Sequence, residues 1–284
     1  MKKLLTILLL AGIAIILLIP ENEAVSTAQN AKAAIILNAS TDKIIYESNA
    51  NEALPIASLS KLMTQYIVLD AIAAGSISWD SLYKPSTEVL NQPSRAVKLD
   101  MQSDKTYTVK ELFTAMTVIS ANDATVALAE MVSGSEEKFA AKMNNYAKKI
   151  GLSKTHFINA TGLDGDETNL ATARDIAAIA NVLIDEHSEV LQFTSMTDFT
   201  TSSGVKRWST NLMLPGMPEA LTGMDGLKTG YTELAESCFA STGIYDGDRI
   251  ITVVIGVAAE GNDTIKPRFD LTRELIDSYV LNQQ

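Results

Sequence analysis

Ser58 and Lys61 stand three positions apart at the start of an apolar stretch with helical period. On a helix that spacing puts both side chains on one face, about one turn apart. The lysine amine then reaches the serine hydroxyl and can act as its base, provided it is neutral. An ordinary lysine, with a pKa of about 10.4, is not. Burial and a second nearby cation both disfavour the ammonium form, and Lys228 can supply that second charge. In Ser120-Ala121-Asn122 the serine hydroxyl can relay a proton between a leaving amine and Lys61, and the Asn122 amide can bind a peptide group. In Lys228-Thr229-Gly230 the lysine and threonine can bind a carboxylate, while the glycine admits a ligand backbone closely. Each motif alone has a plainer reading as a cap, a solvated lysine or a strand end. Their order, with 62 residues from Ser58 to Ser120 and 108 from Ser120 to Lys228, matches enzymes whose nucleophilic serine is activated by lysine.

The elements that must position these residues are legible in outline. Ala33 to Leu37 and Lys43 to Glu47 are β-rich runs joined by a turn-forming Asn38–Asp42. After Pro55 a helix carries Leu59, Leu62, Met63, Tyr66 and Ile67 and ends at Gly75. A looser polar stretch, 76–106, follows. Thr108-Val-Lys-Glu111 reads as a capping box that opens a helix to about Val118. The chain breaks at Ser120-Ala-Asn122, and Asp123 is expected to cap the next helix, to about Val132. Further helices are expected from Gly134-Ser135 to Ile150 and from Thr172 to Asp185. Strands return from about Met224, with Asp246-Gly247 as a hairpin turn between Glu236–Tyr245 and Arg249–Ala258. Lys266 to Leu281 reads as a last amphipathic helix. Strands at both ends with helices between predict one sheet closed by the two ends of the chain.

Composition excludes several function classes. A net charge of −11 disfavours nucleic acid, whose phosphates need Lys and Arg, and disfavours docking on anionic lipid. Met1-Lys2-Lys3 precedes an uncharged apolar run of 16 residues, Leu4 to Ile19. As a helix it would reach roughly 24 Å, short of a membrane core of about 30 Å. With Pro20 and a small-x-small site at Ser26-Thr27-Ala28, residues 1–28 read as a secretory signal peptide. An uncleaved anchor is the other reading, and membrane contact is expected only through residues 4–19. Either way the chain is expected to be exported, to the cell wall or periplasmic space. The single cysteine, Cys238, excludes an intrachain disulfide and reads as a small buried hydrophobe. His156 and His187 have no partner at metal-ligand spacing, so neither a metal site nor a Ser-His-Asp triad is expected.

Longer segments around the motifs carry a family resemblance: Leu54 to Thr64, Ser120 to Glu130, Gly162-Leu-Asp164 with Thr172-Ala-Arg-Asp175, and Asp225 to Thr232. In these the chain resembles the low-molecular-mass penicillin-binding proteins that act as serine D-alanyl-D-alanine carboxypeptidases. The resemblance runs from about Ala33 to Tyr279. It implies an α/β (α+β) penicillin-recognising fold, with a five-stranded antiparallel sheet, helices on both faces and a helical lobe. It implies Ser58 as acylated nucleophile, Lys61 as proton acceptor and Ser120 as relay. Lys228 and Thr229 would bind the substrate carboxylate with Arg268, and the N–H groups of Ser58 and Tyr231 would form an oxyanion hole. Substrate contacts are thus expected from Asn122, Lys228, Thr229, Gly230, Tyr231 and Arg268. Peptidoglycan stem peptides are the expected partners, β-lactam antibiotics the covalent inhibitors, and no metal or organic cofactor is implied.

The chain departs from the family pattern in having Ala121 where many members have glycine and Tyr231 where some have histidine. Residues 29–284 are expected to form one catalytic domain, without the second β-rich domain of many members. Two rivals share parts of the pattern. A class A β-lactamase would need a loop glutamate. Glu167 is available, but 47 residues after Ser120 and outside a Glu-x-x-Leu-Asn pattern. A catalytically silent wall-binding homologue would keep the fold, although every expected catalytic position is filled.

Overall fold

The computed structural model describes residues 30–282, so the expected signal peptide lies outside the described residues. The chain begins with a hairpin of β1 (Ala31–Asn38) and β2 (Lys43–Ser48) and returns to it at the end. Between them come β3 (Leu54–Pro55), a 3₁₀ turn over Ala57–Ser60, and α1 (Lys61–Ala73). The stretch expected to be irregular contains β4 (Leu82–Tyr83) and α2 (Thr87–Leu90), and β5 (Tyr107–Thr108) follows it. The helical lobe is completed by α3 (Val109–Val118), α4 (Asn122–Ser133) and α5 (Glu136–Lys149). After β6 (Leu170–Ala171) come α6 (Ala173–Glu186), α7 (Val190–Thr194), β7 (Asp198–Thr200) and β8 (Lys206–Trp208). The last section is β9 (Met224–Thr232), β10 (Glu236–Tyr245), β11 (Asp248–Val257) and α8 (Pro267–Ile276).

One five-stranded antiparallel sheet, in the order β2-β1-β11-β10-β9, organises the molecule. Its centre explains the largely apolar run Ile250–Val257, interrupted only by Thr252 and Gly256. Side chains alternate between faces along a strand, so a strand covered on both faces is apolar throughout. Ile251, Val253 and Ile255 of β11 join the core under the helical lobe, together with Ala33 and Ile35 of β1. Ile250, Val254 and Val257 point the other way, with Ala34, Ile36 and Phe239, into a second core closed by Phe269, Leu271 and Leu275 of α8. A helix buried all round must likewise be apolar all round. α1 is buried from Lys61 to Leu69 and apolar there except for Lys61, Thr64 and Gln65, whose side chains are hydrogen-bonded.

Local signals fixed most helix starts. Ser135 and Thr172 accept N–H bonds from Lys138 and Asp175, as N-caps do. Thr108 caps α3 through a 3.1 Å bond from the Glu111 N–H, but the reciprocal half of the expected box is not made. The Glu111 carboxylate instead accepts from the Ser202 N–H at 2.8 Å, in the distant β7–β8 turn. Asp123 does not cap α4 either. The helix begins one residue earlier, at Asn122, and its N-cap is Ala121. Among the described residues no helix is long and apolar enough to cross a membrane.

The second core sets a stability test. Phe239 packs edge-on against Phe269 at 5.2 Å between ring centroids, and both are fully buried. Phe239→Ala should cost about 3–5 kcal/mol, read as a lower urea midpoint with an unchanged m value.

Candidate active site

Ser58 is carried on a turn held under tension from several sides. Ser58 lies in the 3₁₀ turn Ala57–Ser60 and not in the first α-helical turn, while Lys61 is the first residue of α1. Ala57 has φ +47°, a left-handed conformation unfavourable for a residue with a β-carbon. Ser60 pins the turn by donating to the Ala57 carbonyl and accepting from Asn169, both at 2.8 Å. Gly162 comes so close that a β-carbon there would sit 1.8 Å from the Ala57 oxygen, and its φ is +76°. Only glycine suits that place.

The Lys61 amine is fully buried and has three partners. It donates to Ser58 Oγ at 2.9 Å, to Asn122 Oδ1 at 2.7 Å and to the Thr161 carbonyl at 2.7 Å. Burial pushes its pKa well below the ordinary lysine value, and the positive charge of Lys228 pushes the same way. The negative charge of Glu136 opposes them. The amine is therefore able to be neutral, and so basic, at far lower pH than a surface lysine.

The α3–α4 break brings in the second motif. Ser120 takes φ +63° and Asn122 enters the first turn of α4. The Asn122 N–H bonds to the Val97 carbonyl at 2.7 Å, and Asp123 accepts the N–H groups of Leu99 and Asp100. Asp123 thus ties the 97–100 loop onto α4 and builds one wall of the cleft. The Asn122 oxygen is committed to Lys61. The Ser120 hydroxyl lines the cleft without a hydrogen bond to another described side chain.

β9 forms the opposite wall at the free edge of the sheet. Thr229 Oγ1 donates to Thr210 Oγ1 at 2.7 Å. A β-carbon at Gly230 would lie 3.2 Å from the Ser58 nitrogen, so the glycine lets the Ala57–Ser60 turn pack on β9. The Tyr231 side chain stands half-exposed on the rim. Lys228 is buried, and its amine donates to the Thr229 carbonyl at 2.8 Å. Burial, then the charge of Arg268, bring its pKa down to about 7.

Arg268 is also buried, with its pKa lowered to about 10 by burial. Its guanidinium donates to the carbonyls of Ile265, Gly230, Cys238 and Thr264 and pairs with no carboxylate among the described residues. Of five guanidinium N–H groups these bonds leave one, on Nη2. The result is a cavity of about 520 Å³ bounded by Ser58, Ser120, Thr229, Gly230, Tyr231 and Arg268, with Arg95, Val97 and Thr210. A neighbouring groove of about 860 Å³ shares Arg95 and Tyr231 with it and continues past Thr232 and Leu234.

A family model described as D-alanyl-D-alanine carboxypeptidase matches residues 21–259. The chain belongs to this family. It is 34% identical to a Bacillus subtilis member, D-alanyl-D-alanine carboxypeptidase DacF, over 99% of this chain and 73% of the relative. With Escherichia coli DacC the identity is 31% over 81% of this chain, which spans only 58% of that protein. Penicillin-binding protein D2 of Listeria monocytogenes, solved with cefotaxime bound, superposes with a TM-score of 0.78 and 38% identity. That match covers 87% of this chain and 96% of the other. Streptococcus pneumoniae PBP3, titled a peptidoglycan synthesis regulatory factor, gives 0.83 and 36% over 87% of this chain and 70% of the other. The expected penicillin-binding DD-peptidase fold is thus the observed one.

Within this family fold, other contributors carried no readable signal of their own. Thr161 acts through a carbonyl, and Thr210 is an ordinary threonine in a loop. Glu136 reads as the polar first turn of a helix. Glu167 is exposed and lines neither cavity. Cys238 is buried, as expected. The expectation for His187 needs correction. The fold brings its imidazole 3.1 Å from Asp70 and near Glu186, potential ligand atoms that all lie within 4.8 Å. Asp70 lies 117 positions from His187, so spacing could not show that contact. Tyr146 and Tyr66 donate to the two carboxylates at 2.5 and 2.7 Å.

The buried lysines make stability depend on pH. Lys228 keeps its proton up to about 10.5 when unfolded but releases it near 7 when folded. Between those values the unfolded chain binds more protons, so stability rises with pH. Lys228→Met removes this dependence. Its stability relative to the parent should be greatest at or below pH 7 and shrink towards pH 10, measured by urea midpoints across that range.

Proposed function

We propose that the protein hydrolyses the terminal D-Ala-D-Ala bond of peptidoglycan stem pentapeptides through an acyl-enzyme on Ser58. The observation that carries this reading is the 2.9 Å bond between Ser58 Oγ and a buried, charge-destabilised Lys61 amine, opening on a cleft with a buried arginine. Lys61 takes the Ser58 proton as Oγ attacks the penultimate D-Ala carbonyl. The oxygen of the tetrahedral intermediate is held by the N–H groups of Ser58 and Tyr231. As the C–N bond breaks, the proton passes from Lys61 through the Ser120 hydroxyl to the departing D-Ala amine. Water then attacks the ester, returning the proton to Ser58 and releasing the shortened peptide.

Thr229 and the buried guanidinium of Arg268 hold the terminal carboxylate, with Lys228 adding positive charge. Asn122 keeps Lys61 in line and offers its amide N–H to the substrate. With the carboxylate by Thr229 and the scissile carbonyl by Tyr231, the rest of the stem peptide runs past Thr232 into the larger groove. A β-lactam presents a carbonyl and a carboxylate to the same groups. Its leaving nitrogen stays tethered after ring opening, so the acyl-enzyme persists. The β-lactam-bound Listeria relative supports that inhibition. Such a substrate lies outside the cytoplasm, in keeping with an N-terminal export signal or anchor over residues 1–28.

Ser58→Ala should abolish both covalent labelling by a fluorescent penicillin and D-alanine release from a pentapeptide muropeptide. Labelling retained in that variant would remove Ser58 as the nucleophile. A penicillin adduct that turns over rapidly would instead indicate a β-lactamase. Arg268→Gln should lower kcat/KM for a peptide with a free terminal carboxylate by roughly 10- to 100-fold, the worth of a charged hydrogen bond. The C-terminal amide of the same peptide should lose far less.

A further inference from the structure

Glu136, the first residue of α5, is absent from the motifs, and its carboxylate faces inward behind Lys61. Its Oε1 accepts the Ala160 N–H at 2.9 Å. The Ala160 carbonyl accepts Thr64 Oγ1 at 2.9 Å, one helical turn from Lys61. The next carbonyl, of Thr161, accepts the Lys61 amine at 2.7 Å. A single carboxylate therefore braces the segment that supplies one of the three acceptors around the base. It also brings a negative charge towards an amine that burial and Lys228 would otherwise strip of basicity.

We propose that Glu136 is a positioning residue for Lys61, bracing Ala160–Thr161 and setting, by its charge, the pH at which the amine becomes a base. Two requirements on Lys61 conflict. It must be neutral at working pH, yet basic enough to take a proton from serine. Burial and Lys228 serve the first, and the Glu136 carboxylate restores part of the second. The charged groups concerned come from each neighbouring element. Lys228 of β9 and Glu136 of α5 act on Lys61. Glu88 of α2, Glu130 of α4 and Lys61 itself act on Glu136, whose own pKa burial raises. Glu130 is occupied by hydrogen bonds from Tyr83 and Ser86, and Asp123 by N–H groups of the 97–100 loop.

The test compares Glu136→Gln with Glu136→Ala. Glutamine can still accept the Ala160 N–H but carries no charge, whereas alanine loses both. The proposal rests on Lys61 being the base of the function proposed above, so two readouts are needed. Titration of Lys61 by NMR in protein labelled with ¹³C at lysine Cε, assigned through Lys61→Arg, needs no turnover. Its midpoint should fall by roughly half a pH unit or more in Glu136→Gln, because removing a nearby negative charge destabilises the ammonium. The acid limb of penicillin acylation should move down with it, since the amine then stays neutral to lower pH. Glu136→Ala should acylate more slowly than Glu136→Gln at every pH. An unmoved or raised Lys61 midpoint in Glu136→Gln would overturn the charge role, and equal rates for the two variants the bracing role. Failure of the parent protein to acylate would overturn the proposed function and leave the Lys61 titration to decide the role of Glu136.

Discussion

The Lys61 amine is taken wholly out of water, and the surrounding architecture is organised by what that requires. An unpaired buried ammonium is costly, so such a group either finds partners or gives up its proton. Here the partners are a hydroxyl, an amide oxygen and a main-chain carbonyl, with no carboxylate in direct contact. They satisfy the donors of either protonation state without fixing the charge, as an ion pair would. Each arrives from a different part of the chain, so the site exists only when the sheet, the lobe and the 159–162 loop are all in place.

Those parts meet at backbone positions that are locally unfavourable. Ala57 and Ser120 both adopt left-handed conformations, one beside the nucleophile and one at the facing helix break. Such residues persist only where the surroundings over-determine them. The surroundings do so: Ser60, Asn169 and Gly162 grip the first, and the Asn122–Val97 bond and the Asp123 bonds hold the second. The rigidity of the cleft is thus imported from neighbouring loops, with α1 as the fixed element beneath.

Much of this was readable from residues alone, and the limits have physical causes. Strand periodicity and turn residues located the sheet, because a strand buried on both faces has no choice but to be apolar. The Ser58–Lys61 contact followed from helical spacing. The relation of Glu136 to Lys61 could not, since Coulombic influence acts through space between segments 75 positions apart. Asp123 looked like a cap because local rules assign such residues to their own helix, whereas here a passing loop claimed the side chain. The acceptor of the Lys228 amine, the Thr229 carbonyl, was hidden for a similar reason. Strand alternation gives a face, but a four-carbon side chain chooses its own acceptor. His187 shows the same limit, its partners being 117 positions away and one position away.

The edge position of β9 bears on pairing between copies of the sheet. An unpaired strand edge invites pairing with another copy, and proteins ordinarily blunt such edges with proline, bulges or inward charges. In β9 the buried Lys228 is one such inward charge, while Thr229–Tyr231 carries no proline or charge of its own. Part of this edge is covered: the Ala57–Ser60 turn packs against Gly230, and Ser120 lines the same cavity as Thr229. The cleft therefore also covers part of a strand edge, and a variant that lifts the lobe from the sheet would expose that edge.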